Sequence, residues 1–103
     1  RAALDMTRIA KDFSDADSGV IVFASSMGQE YAEESPAWRH GAFTKTLLDG
    51  LSGAADLFRD GSVRQSELET YVKHGVAELT KGRQHPVTIS PGALPDFVLA
   101  LVP

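Results

Sequence analysis

The 103-residue sequence contains no cysteine, which removes disulfides, thiolate metal sites and any cysteine nucleophile carried by this chain. It has no apolar run near the ~20 residues that a bilayer-spanning helix needs, and no basic-then-apolar leader. A cytoplasmic, non-membrane chain is therefore expected. Lys and Arg total 10 against 14 Asp and Glu, a net charge of −4, and the basic residues are scattered. With no basic face to neutralise a phosphate backbone, nucleic acid is not an expected partner. A Gly-x-Ser-x-Gly elbow is also missing, so Ser25, Ser26 and the three histidines His40, His74 and His85 do not add up to a serine-hydrolase motif. Finally, the sequence opens on Arg1 rather than Met, inside what reads as a helix, and is expected to be a piece cut from a longer polypeptide.

What is present reads as one folded segment. Apolar residues at 43% and charged residues at 23% lie near globular averages, which argues against disorder and coiled coil. A domain of this size holds one core at most. Met6, Ile9, Ala10 and Phe13 fall at helical spacing and stop in the polar cluster "SDADSG". "VIVFA" is uninterrupted and β-branched, as expected for a strand covered on both faces in a parallel sheet. Residues 27–41 show no sustained period and read as a long loop, a length often tied to function. Phe43, Leu47, Leu48 and Leu51 predict a second helix from Ala42, closed by Gly53. Leu68, Tyr71, Val72, Val76 and Leu79 predict a third, with Gly82 just past its end and a capping box from Ser66 and Glu69. "RQHPVTISPGALP" carries three of the five prolines and reads as a rigid surface connection; "DFVLALV" reads as a second buried strand. Two strands make a poor sheet, so strands from elsewhere are expected to complete it.

Three segments invite chemistry. In open α/β sheets, ligands sit beyond the carboxyl ends of strands. Ser25, Ser26, Gln29, Glu30, Glu33 and Glu34 follow "VIVFA" in that position and would suit a cation with several donors, such as an arginine side chain; a solvated acidic loop is the alternative. "DLFRDGSVRQSE", Asp56 to Glu67, has the outline of a calcium-binding loop, with acids at positions 1, 5 and 12 and Gly at 6. Phe58 at position 3 brings no oxygen and Arg64 at position 9 is cationic, so no metal is expected; Gly61 is read as the sharp turn and Glu67 as a cap. Trp38 is read as core or rim packing.

Taken in order, "GVIVFASSMGQEYAEE", "HGAFTKTLLDGLSGAAD", "DGSVRQSELETYV", "LTKGRQHP" and "DFVLAL" resemble the C-terminal, small-subunit half of bacterial caspase-like cysteine peptidases, the clan that includes metacaspases and orthocaspases. The resemblance runs from about Ser18 to Val102. Gly41, Phe43 and Thr44 at a helix start, and Asp56, Asp60 and Gly61 at a helix-joining turn, carry most of it. It implies an α/β, caspase-like three-layer sandwich with a mainly parallel sheet, to which residues 1–103 contribute about two core strands and three helices. It also implies a large-subunit partner bearing the catalytic His and Cys, no catalytic residue on this chain, no cofactor, and a peptide or protein substrate. Ser25, Ser26, Gln29, Glu33 and Glu34 would then line the S1 pocket for Arg or Lys, with Glu34, or Glu33 one register step away, as the decisive acid. Gln29 stands where one of the family's paired acids is expected, which argues against a family-type calcium site on this loop. The alternative within the resemblance is a catalytically inactive regulatory or interaction module.

Overall fold

The computed structural model describes residues 21–25, 41–89 and 95–103. The elements are β1 (Val22–Ala24), α1 (Ala42–Asp49), β2 (Ser62–Arg64), α2 (Gln65–Leu79), β3 (Val87–Ile89) and β4 (Val98–Leu101). The fold is mixed α/β. The expected first helix, Trp38, His40 and residues 26–40 of the acidic loop lie outside the described residues.

Helix α1 begins at Gly41, whose extended backbone (φ −62°, ψ 157°) sets the N-cap, and continues into a wide turn over Gly50–Ala54. There the Ala55 N–H donates back to the Gly50 carbonyl at 3.3 Å. Gly53 closes the segment at φ 131°, a conformation open to glycine and costly for other residues. Helix α2 buries Leu68, Val72 and Val76, three residues at i, i+4 spacing, against Ala42, Ala55 and Val63. Phe43, Leu47, Leu51, Tyr71 and Leu79 pack around this core.

The two helices meet closely because glycine stands at the crossing. A Cβ placed on Gly75 would lie 2.6 Å from Thr46 Cγ2. Thr46 is buried, and its hydroxyl donates to the Ala42 carbonyl at 2.8 Å, which holds the methyl in place. Gly75→Ala should therefore destabilise the fold by about 1 kcal/mol, even though Ala favours a helix over Gly by nearly as much, since overpacking costs about 1–3 kcal/mol. Adding Thr46→Ser, which removes the offending methyl and keeps the hydroxyl, should restore stability in a denaturant melt. No recovery would mean the crossing is not set by this contact.

The ends of α2 differ from the sequence reading in an instructive way. Arg64, not Ser66, is the N-cap residue, and Glu67, not Glu69, closes the capping box by accepting the Arg64 N–H at 2.9 Å. Ser66 is already inside the helix. Its N–H and hydroxyl both donate to the Asp96 carboxylate, at 3.0 and 2.6 Å, and pin the chain before β4 to the helix start. At the other end the Gly82 N–H donates to the Ala77 carbonyl and the Lys81 N–H to the Glu78 carbonyl, a Schellman closure. Lys81 (φ 53°) takes the left-handed position and Gly82 (φ 80°) follows it.

The described strands form two ribbons, β1 with β3 and β2 with β4, both antiparallel. The expected parallel pairing does not occur among the described residues. β3 lies inside the proline-rich stretch read as a plain connection: Val87-Thr88-Ile89 is β-branched, and Ile89 is buried opposite Val22. β2, also unforeseen, places Val63 at 0% exposure in the core. β4 is the reverse case. It was read as buried, yet Phe97, Val98, Leu99 and Leu101 are 40–78% exposed, and only Ala100 and Val102 turn toward the core. The register between β2 and β4 shifts at Val63–Arg64: Ala100 faces Val63 and Val98 faces Arg64, which leaves Leu99 of β4 as the extra residue.

Candidate functional site

Of the five residues expected to hold a basic side chain, the structure describes Ser25; Ser26, Gln29, Glu33 and Glu34 lie outside the described residues. Ser25 is half-buried at the carboxyl end of β1. Its carbonyl accepts a hydrogen bond from Gln84 Nε2. Gln84 is fully buried, and its own N–H donates to Thr80 Oγ1 at 3.0 Å, while the Thr80 hydroxyl donates to the Val76 carbonyl at 2.8 Å. A relay of buried polar groups thus runs from the last turn of α2 to Ser25 at the carboxyl end of β1. A buried amide bonded at both its side chain and its backbone is a positioning device, since each bond left unmade in an apolar site is costly.

Sequence reasoning missed Gln84. The signal was there in "LTKGRQHP", where an amide stands between a helix-ending glycine and a proline, but only the fold shows that its side chain crosses 59 residues of sequence to reach Ser25. His74 and His85 are exposed; His74 is on the α2 surface, where the sequence placed it.

The second candidate segment, Asp56 to Glu67, is a clasp built on carboxylates. Asp56 accepts the N–H groups of Asp60 (3.1 Å) and Gly61 (2.9 Å). Asp60 Oδ1 accepts the N–H and hydroxyl of Ser62. Glu67, 2% exposed, takes the Arg64 N–H on Oε1 and those of Leu57 (2.8 Å) and Phe58 (3.3 Å) on Oε2. Gly61, at φ 82°, makes the sharp turn read from the sequence. Asp56, Asp60 and Glu67 each offer an oxygen within 4.8 Å of the other two. Backbone N–H groups already bond all three carboxylates, and Phe58, 77% exposed, occupies the place of a missing ligand. The clasp joins α1 to α2 through β2.

Two exposed carboxylates are held below their ordinary pKa. Asp96 is lowered by the Ser66 hydroxyl first and then by the Ser66 N–H, against an opposing cost of burial. Asp60 is lowered by the Ser62 hydroxyl and then the Ser62 N–H. A carboxyl with a depressed folded-state pKa adds stability that is complete above its unfolded pKa and is lost as pH falls through the folded value. The denaturation midpoint should therefore decline on acidification below about pH 4, and Asp96→Asn should flatten that decline. An unchanged slope in the variant would show that the Ser66 link does not persist in solution.

An apolar groove of about 730 Å³ lies beside β4, with Ile21, Leu47, Leu51, Phe97 and Leu99 among its walls. Among the described residues, no helix is long and apolar enough to cross a membrane. No family model matches this sequence, and no curated protein or solved structure gives a significant match to it.

Proposed function

We propose that this chain is the small-subunit half of a caspase-like cysteine endopeptidase, in which a companion segment supplies the catalytic His and Cys and the loop after β1 receives an Arg or Lys side chain of the substrate. The observation that supports this most directly is the apolar flank of β4. Phe97, Val98, Leu99 and Leu101 stand 40–78% exposed in one short stretch, beside the 730 Å³ groove. Contiguous apolar surface of this kind marks an interaction site. A chain with that flank and no cysteine is suited to completing a core whose reactive sulfur lies elsewhere. The Gln84 relay adds support, because a substrate-binding loop needs a fixed point of departure.

The test is chemical. Tagged chain is recovered with its companion and assayed on peptides bearing Arg, Lys, Asp or Leu at the position before the cleaved bond. Activity after Arg and Lys that iodoacetamide abolishes, with the alkylated cysteine on the companion, is the expected result. A companion with no cysteine, or alkylation-resistant cleavage, would refute the reading.

A further inference from the structure

A second cavity, of about 220 Å³, opens where the β1–β3 ribbon meets the two helices. Phe23 of β1, Phe43 of α1, Val72 of α2 and Val87 of β3 form apolar walls. Its charged lining groups are Glu69 and Lys73, both on α2. At i, i+4 spacing a Glu and a Lys ordinarily pair with each other. Here they do not: no ion pair joins the two, whereas Lys45 and Asp49, also at i, i+4 spacing, pair at 2.6 Å. Glu69 instead receives Gln65 Nε2 on one oxygen at 3.1 Å. The cavity thus presents a half-buried carboxylate and an exposed ammonium that do not pair, beside an aromatic and aliphatic pocket.

We propose that this cavity binds a free α-amino acid with an apolar side chain. The four apolar walls take the side chain, the Glu69 carboxylate accepts hydrogen bonds from the ligand's ammonium, and the Lys73 ammonium donates to its carboxylate. The size agrees, because pockets for drug-sized ligands start at roughly 300 Å³ and this one is smaller. The charges agree as well: a zwitterion supplies each unpaired group with its opposite, and charge-assisted bonds are the stronger class. The site does not depend on the peptidase reading, since it uses neither the acidic loop nor the flank of β4.

Calorimetric titration of the full chain with leucine, N-acetylleucine and leucinamide decides the matter. Leucine should bind, and each derivative, having lost one charge, should bind about tenfold more weakly or worse. Glu69→Gln should erase the preference for leucine over N-acetylleucine, and Lys73→Gln the preference for leucine over leucinamide. The three ligands on the unaltered chain give an answer even if a variant fails to fold. No heat from leucine, or equal binding of all three, overturns the proposal; tight binding of leucinamide alone would point to a simple cation site and also overturn it.

Discussion

Glu34→Ala should lower kcat/KM for peptides cleaved after arginine by about 100-fold or more in the assembled enzyme proposed here, while cleavage after uncharged residues changes little. A carboxylate facing a guanidinium in a site shielded from water forms two parallel charge-assisted hydrogen bonds. Removing it leaves the substrate's charge buried and unpaired, a penalty of about 3–5 kcal/mol. The effect should appear in the specificity ratio, not only in the rate, because misfolding would depress all substrates alike. Glu33→Ala is the matched comparison, since one register step separates the two acids. If neither substitution alters the preference for arginine, the acidic loop is not the S1 pocket.

Glu67→Ala should cost about 3 kcal/mol or more of folding stability. Its carboxylate is almost fully buried and receives three backbone N–H groups, those of Leu57, Phe58 and Arg64. Alanine leaves these donors without an acceptor, opens the cap of α2, and frees the turn that joins the helices. Against a total stability of about 5–15 kcal/mol for a domain, the loss is large. Glu67→Gln should cost less, since its one carbonyl oxygen can still accept while its NH₂ group faces N–H groups. Guanidinium melts of the three proteins check the order; a Glu67→Ala midpoint indistinguishable from the parent would mean the clasp does not contribute to stability.

The helices and their glycines were legible because their signals are local. Leu68, Val72 and Val76 announce α2 by spacing alone, and Gly53 and Gly61 mark turns whose positive φ favours glycine. The clasp was half legible: its acids and glycine showed in the order of residues, and Phe58 and Arg64 showed why a metal reading was unattractive. Glu69 was misread as the capping acid because Ser66 looked like a cap. The true cap is Arg64, a residue type with little intrinsic preference for that position, placed there by β2 and its partner strand. β3 was hidden because prolines near both ends of Val87–Ile89 outweighed three β-branched residues.

Residue order therefore determined the described helical segments, the turn chemistry, the absence of any thiol on this chain and the run of acids that follows β1 in sequence. Tertiary structure alone decided that the described strands pair antiparallel, that β4 turns most of its apolar side chains outward, and that Gln84 fastens the end of β1. The division follows from range. Periodicity and φ preference act over a few residues, whereas strand partners, burial and a hydrogen bond spanning 59 residues depend on which distant segments share a core.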